Sequence, residues 1–331
     1  MSRVIRWGMI GCGDVTERKS GPAFQKARES ALVAVASRSP ERAKDWALRH
    51  GVGRWHADAQ AVIDDPEVDI VYVATPPSSH AELALRCAAA GKPAYVEKPM
   101  ALDASECEQM VRAFREAALP LFVAYYRRAL PRFLRLRAIL EDGEIGAVRF
   151  AQIRYHRPVS EVDRRRTWRT NPSISGGGLF VDLACHTIDV LGWMLGGVIE
   201  AGGMAANQAG AYAAEDVVAA TLRFGGGALG NGIWCFSAAE RADEVLLMGE
   251  SGSVRFATFG EEPIEVRTAS GERRETLSHP EHIQQPLIQS IVDELNGEGE
   301  CPSRGETALA TTRAMDSILR GWRTRGQGGA G

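Results

Sequence analysis

The run VIRWGMIGCGDVT, Val4 to Thr16, opens the chain with a short apolar segment that stops on two glycines. An apolar run of this length suits a buried strand. Glycines directly after it let the main chain turn tightly and approach a pyrophosphate at a helix N-terminus. Gly11, Gly13, Asp14 and Val15 are therefore the first candidates for contact with a dinucleotide. A strand-to-helix turn without a ligand would look similar. The third glycine position holds Thr16, and Gly21-Pro22 interrupts the following helix. The flanking sequence has to carry the argument.

Outward from this turn the pattern repeats. ALVAVAS (Ala31 to Ser37), IVYVAT (Ile70 to Thr75), PAYVE (Pro93 to Glu97) and LFVAYY (Leu121 to Tyr126) are continuous apolar runs, as expected of parallel strands covered on both faces. Between them, PERAKDWALRHG (Pro40 to Gly51), AELALRCAAAGK (Ala81 to Lys92) and SECEQMVRAFREAA (Ser105 to Ala118) have helical spacing, the first with proline at its start and glycine at its end. This alternation predicts an α/β fold, a doubly wound parallel sheet over residues 1–125. The glycine turn after its first strand then favours a dinucleotide. The second strand ends in Ser37-Arg38-Ser39, with no carboxylate before Glu41. An acidic residue there would accept from the ribose hydroxyl of NAD, whereas arginine neutralises the extra phosphate of NADP. Ser37 and Arg38 thus favour NADP(H), with NAD(H) as the alternative; an ordinary solvated arginine is the plainer reading of Arg38.

The rest of the chain reads differently. VRFAQIRYHRP (Val148 to Pro158), DVVAATLRF (Asp216 to Phe224), ALGNGIWCFSA (Ala228 to Ala238), DEVLLMG (Asp243 to Gly249), GSVRFATF (Gly252 to Phe259) and PIEVRTA (Pro263 to Ala269) alternate imperfectly between glycine-rich turns. They predict a large, mainly antiparallel open sheet in a substrate-binding and oligomerisation domain over 126–323. A bare apolar sheet face predicts a homodimer or homotetramer, unless the chain's own helices cover it. A helix is expected over 307–322, and a disordered tail over 324–331.

Bulk composition agrees with two globular domains in 331 residues. With 39 basic and 42 acidic residues the net charge is −3, which argues against a nucleic-acid partner. The six cysteines are scattered, without a CxxC pair, so zinc-ribbon and disulfide-scaffold readings fail and a cytoplasmic setting fits. No uninterrupted apolar run reaches membrane-spanning length, and MSRVIRWGMIG lacks the form of a signal peptide.

Chemistry is concentrated in two places. GGGLFVDLACHTIDVLGWMLG, Gly176 to Gly196, is an apolar helix apart from Asp182, His186 and Asp189. Their i, i+4, i+7 spacing puts all three on one face, and buried ionisable groups need a partner or a substrate. The other place is Glu97-Lys98-Pro99, directly after a strand whose carboxyl end faces the ligand crevice of such a sheet. Oxidation of a secondary alcohol needs a group to take the hydroxyl proton and a group to stabilise the developing alkoxide charge. Lys98 and His186, the latter oriented by Asp182, supply both. Taken singly, these are a loop lysine, a core histidine and its hydrogen-bond partner. Two other classes remain open: a metal-dependent hydrolase or isomerase with Asp182, His186 and Asp189 as ligands, and a protein that senses NADP without turnover. The first leaves the lysine and the nucleotide turn unexplained, and a sensor has no need for all three catalytic-type residues. No metal is expected.

The glycine turn, VATPPSSH (Val73 to His80), AGKPAYVEKP ending at Pro99, and GGGLFVDLACHTID together resemble the Gfo/Idh/MocA oxidoreductases, a family named after glucose–fructose oxidoreductase and inositol dehydrogenase. YYRR (Tyr125 to Arg128), Trp168-Arg169, the GESGSV turn and PSRGETAL (Pro302 to Leu309) agree. The resemblance covers nearly the whole chain. It implies an N-terminal Rossmann domain followed by an α/β domain whose open sheet forms the subunit contact. It also implies catalytic roles for Lys98, Asp182 and His186, and a cis peptide before Pro99 that aims Lys98 at the substrate. Thr75, Pro76, His80 and Glu97 would line the cofactor, while Thr16 departs from the small residue usual at its position. Substrates in the family are sugars, cyclitols and their derivatives. Tyr126, Arg127, Tyr155, His156, Trp168 and Arg169 are the candidates to bind one here: an aromatic ring covers a sugar's apolar face and an arginine forks onto hydroxyls or a carboxylate. The run Arg164-Arg165-Arg166 would suit an acidic or phosphorylated sugar, although a solvated loop is its simpler reading. A reductase of a non-sugar carbonyl, a tetrapyrrole or a trans-dihydrodiol-type substrate is the nearest rival among enzymes.

Overall fold

A computed structural model of the protein describes residues 2–165 and 167–327. The chain forms two compact units, Met1–Leu130 with His279–Leu309 and Pro131–Ser278 with Ala310–Gly331.

In the first unit, strand and helix alternate as β1 (Ile5–Ile10), α1 (Asp14–Arg18), α2 (Gly21–Lys26), β2 (Ser30–Ala36), α3 (Pro40–His50), β3 (Arg54–His56), α4 (Ala59–Ile63), β4 (Ile70–Val73), α5 (His80–Ala89), β5 (Ala94–Val96), α6 (Ala104–Glu116) and β6 (Leu121–Val123). The sheet order is β3-β2-β1-β4-β5-β6 and every pair is parallel. This is the doubly wound order, whose switch point lies between β1 and β4. Strands β4, β5 and β6 are buried at every residue, which explains their uninterrupted apolar sequence. Local signals end the helices where the sequence said they would. Ser39 Oγ accepts from Arg42 N at the start of α3, Pro40 follows it, and Gly51 closes the helix at φ +69°. Strand β3 escapes a sequence reading, because three residues are too short to show a period.

The second unit contains α7 (Pro131–Glu141), β7 (Val148–His156), α8 (Glu161–Arg164), α9 (Pro172–Ser175), α10 (Leu179–Leu195), β8 (Val198–Ala206), β9 (Val217–Phe224), β10 (Leu229–Cys235), β11 (Ala242–Gly249), β12 (Gly252–Phe256), β13 (Ile264–Thr268) and β14 (Gly271–Glu275). Eight strands order as β14-β13-β12-β11-β7-β10-β9-β8, antiparallel except where β7 meets β10. Strand β8 was not foreseen: its glycine pair hides any alternation, and only pairing with β9 defines it. One sheet face buries Ile153, Tyr155, Leu222, Trp234 and Leu247. On the other face Phe150 is 39%, Leu229 50% and Ile233 38% exposed, with Leu229 beside Phe150 in the register. Helix α10 is the unit's core helix. The stretch Pro172–Leu195 is apolar and long enough to cross a membrane by composition, but 72% of its most apolar window lies inside the protein.

The chain then yields α11 (Gln285–Leu295) and α12 (Gly305–Gln327). Here the structure corrects the division at residue 125. Residues His279–Leu309 return to the first unit, and that unit runs on to Leu130. Leu287, Ile288, Ile291 and Val292 bury one face of α11. His282 Nδ1 donates to Arg18 O at 2.8 Å, and Ser303 Oγ donates to Val123 O at 2.7 Å. A contiguous second domain would leave all these groups without partners. The expected tail is also corrected in part, since α12 continues to Gln327; residues 328–331 lie outside the described residues.

Candidate active site

In the first unit the carboxyl ends of β1, β2, β4 and β5 share one sheet edge, because the strands are parallel. Gly11 follows β1 at φ +109°. A Cβ there would stand 2.6 Å from Ala74 O, so glycine is required for the close approach of two strand ends. Gly13 caps α1 with no side chain, and nothing lies within 4 Å of where its Cβ would be. The bare main chain at Gly13, with Asp14 and Val15 beginning the helix, fits the diphosphate of a dinucleotide. Thr16 is buried, and its hydroxyl donates to Gly13 O at 2.7 Å, so the departure at this position closes the turn instead of blocking it. At the end of β2, Arg38 is exposed and Ser37 Oγ accepts from Ser39 N at 3.4 Å.

Past β4 and β5 lies a connected network. Thr75 Oγ1 accepts from Ser79 Oγ at 2.8 Å, and Pro76 is partly exposed beside it. Glu97 is 6% exposed; its Oε1 accepts from Tyr72 OH and from Gln284 Nε2, both at 2.6 Å, and its Oε2 from Lys98 N at 3.1 Å. Burial, reinforced by Glu97, holds the Tyr72 phenol well above its ordinary pKa, so it stays a donor. The Lys98–Pro99 peptide is cis, and Lys98 is partly exposed. His80 departs from expectation. It is fully buried, with Nδ1 3.0 Å from Pro99 O and Nε2 2.7 Å from Thr75 O. Instead of presenting a nitrogen to the cofactor, it braces the two loops that carry Thr75 and Lys98.

The second unit gathers the other candidates around α10. Asp182 and His186 lie one turn apart; His186 is 3% exposed, and its ring meets Phe259 edge-on at 5.8 Å. Arg169 Nε stands 3.6 Å from Asp182 Oδ2, and the guanidinium lies 4.4 Å from the Trp168 ring centroid. Trp168 and Arg169 therefore join Asp182. Asp189 turns elsewhere, accepting from Thr311 Oγ1 of α12 at 3.1 Å. Among the described residues no three His, Cys, Asp or Glu side chains form a group that could hold a metal ion. Tyr155 is buried against Phe236 and Phe259, and His156 Nδ1 donates to Glu240 O at 2.9 Å. Tyr126 and Arg127 belong to the first unit, both buried, with Arg127 5.4 Å from the Tyr126 centroid. Of the basic run, Arg164 and Arg165 are exposed; Arg166 lies outside the described residues.

Sequence reasoning missed three residues, one in the first unit and two in the second, that shape the surroundings of these candidates. Gln284 bridges Glu97 and Tyr95 from nearly two hundred positions away. Phe259 walls His186, on a loop that the Asp243 carboxylate pins through Thr258 N, Phe259 N and Gly260 N at 2.6–2.9 Å. Glu215 bonds the glycine turn before α10. No local pattern marks any of them.

Fold and glycine turn define a nucleotide-dependent oxidoreductase scaffold with an added α/β domain. Residues 5–125 match the model of the oxidoreductase family with an NAD-binding Rossmann fold, and residues 133–255 match the GFO/IDH/MocA C-terminal domain. The chain belongs to the Gfo/Idh/MocA family and is an NAD(P)-dependent oxidoreductase. It is 40% identical over 96% of its length to oxidoreductase P35 of Formosa agariphila, covering 98% of that protein. Trans-1,2-dihydrobenzene-1,2-diol dehydrogenase of Bos taurus is 27% identical, with 82% of this chain and 79% of that protein covered. A solved levoglucosan dehydrogenase, in complex with NADH and levoglucosan, superposes with a TM-score of 0.87 over 97% of each chain at 22% identity.

Proposed function

We propose that the protein transfers hydride between NADP(H) and a ring secondary alcohol or ketone of a sugar, cyclitol or sugar derivative. The observation that carries this reading is a buried His186 one turn from a partly buried Asp182 on a mainly apolar core helix, a costly arrangement unless the pair handles a proton. The nicotinamide, when bound, accepts or returns the hydride. Gly11, Gly13, Asp14 and Val15 would hold its diphosphate, with Thr75, Pro76 and Glu97 shaping the loops beside it. His186 takes the hydroxyl proton while Asp182 orients the imidazole. The Lys98 ammonium stabilises the charge that develops on oxygen. Trp168 and Arg169, already joined to Asp182, suit a ring with neighbouring hydroxyls, and Tyr126, Arg127 and Tyr155 complete the candidate set. The bovine relative's name favours a second substrate reading, a trans-dihydrodiol, which also carries a ring carbinol beside another hydroxyl.

Arg38 underlies the cofactor preference. Side-by-side titration, followed by tryptophan quenching, should show tighter NADPH than NADH binding. Arg38→Ala should weaken NADPH binding about 10- to 100-fold, the range of a charge-assisted hydrogen bond, and spare NADH. Equal loss of both would make Arg38 structural; an initial preference for NADH would overturn the NADP reading.

We also propose that the exposed sheet face pairs subunits, since the paired Phe150 and Leu229, and Ile233 four positions further along β10, are exposed on it. Light scattering should show a dimer or tetramer that Ile233→Glu dissociates. A monomer at micromolar concentration would sink this assignment.

A further inference from the structure

We infer that Glu215 is a positioning residue whose side chain sets the first turn of α10 and thereby the placement of Asp182 and His186. The inference rests on the catalytic reading of those two residues, but one arm of its test does not.

Glu215 precedes β9 and is 1% exposed. Its Oε1 accepts from Gly178 N at 2.8 Å. Gly178 is the cap residue of α10, and the residue three positions on, whose side chain could reach back to its N–H, is the apolar Val181, so the acceptor comes from another element. The rest of the turn is held as firmly. Ser175 Oγ donates to Gly177 O at 2.5 Å, and Arg323 Nη2 of α12 donates to Gly176 O at 2.8 Å. Close packing around the turn explains why glycine is repeated here. A Cβ on Gly178 would meet Ala214 Cβ at 2.7 Å, Glu215 O at 2.9 Å and Glu215 Oε1 at 3.2 Å; one on Gly177 would meet Val181 at 2.4 Å and Glu215 Oε1 at 3.3 Å. Val181, Ala214 and the Glu215 main chain crowd these two positions, and the Glu215 carboxylate lies just beyond them.

A buried acid is an unusual cap, because a neutral acceptor would serve without the cost of burying charge. Burial pushes the Glu215 carboxyl up to about 7 despite the Gly178 N–H, which pulls the other way. The charged and titratable groups facing it are Arg323, with its partner Asp316, on α12; Asp216 beside it; and Tyr212 in the preceding loop. Asp182 lies within the first turn of α10. Between the unfolded value of 4.5 and about 7, the folded protein therefore binds a proton that the unfolded chain does not. The stability contributed by Glu215 falls as pH rises through that window and is level on either side of it.

The test compares Glu215→Gln and Glu215→Ala by steady-state kinetics, and by thermal unfolding from pH 5 to pH 8. Glu215→Ala should lower kcat at least about 10-fold without changing cofactor affinity, since it leaves Gly178 N without its acceptor and does not touch the nucleotide turn. Glu215→Gln should restore kcat to within about twofold, because its amide oxygen still accepts from Gly178 N. It should also abolish the fall in Tm with pH and stand about 5 °C above the parent at pH 8. Parental kcat in Glu215→Ala, or equal loss of kcat in both variants, overturns the positioning role. A parent whose Tm is level from pH 5 to pH 8 overturns the buried-acid account. Should His186→Ala prove fully active, the catalytic reading fails on its own, and the Tm profile of Glu215→Gln still decides whether Glu215 is the titrating cap.

Discussion

Lys98→Met is expected to lower kcat about a thousand-fold, the upper range for losing one group that stabilises developing charge, and to leave NADPH affinity within a few-fold. Methionine keeps the length and apolar stem of lysine and removes only the ammonium. The main-chain bond from Lys98 N to Glu97 Oε2 survives the change, as do the bonds of Glu97 to Tyr72 and Gln284, so the loop after β5 keeps its shape. What disappears is the charge proposed to offset the developing alkoxide. His186→Ala should cost a similar factor by removing the proton acceptor, although Lys98 and His186 come from different units. Stopped-flow hydride transfer and nucleotide titration measure the two quantities separately. Normal turnover in either variant would remove that residue from the chemistry.

The second large effect concerns the two glycines after β1, which should behave differently. Gly11→Ala places a methyl group 2.6 Å from Ala74 O in a backbone conformation, φ +109°, that side chains rarely adopt. Gly11 N also donates to Ala36 O and Ala74 N to Ile10 O, both at 2.8 Å, so β1 cannot shift without loosening β2 or β4. A loss of about 2–4 kcal/mol in unfolding free energy follows from backbone strain and overpacking, together with weaker binding of NADPH and NADH alike. Gly13→Ala meets nothing within 4 Å and has an ordinary negative φ of −107°. Its stability should stay within about 0.5 kcal/mol of the parent, while both nucleotides bind at least about tenfold more weakly because the methyl group occupies the diphosphate cradle. Urea unfolding and calorimetric titration give both numbers. Unchanged nucleotide affinity in Gly13→Ala would show that the turn is not the cradle.

Much of this was legible before any coordinates. Continuous apolar runs, the first of them ending in glycine, identified most strands of the first sheet, since period and turn residues act over a few positions. The same local logic isolated α10 through its polar stripe and pointed to the Lys98–Pro99 turn. It failed where an element lacks a period, as in β3 and β8, and where a residue's task depends on a distant partner. Asp189 shares a helical face with Asp182 and His186, yet it bonds Thr311. His80 stands in a motif associated with cofactor contact, yet main-chain carbonyls occupy both its nitrogens.

The sequence by itself determined the order of strands and helices, the glycine turn, and the candidates Lys98, Asp182 and His186, because each leaves a signature within one or two turns of chain. Tertiary structure alone decided that residues 279–309 belong with the first unit, that Gln284 reaches Glu97, and that Glu215 accepts from Gly178 N. Those outcomes depend on which buried donor and acceptor finish within hydrogen-bond distance once the apolar faces have packed. Chain separation does not encode that distance.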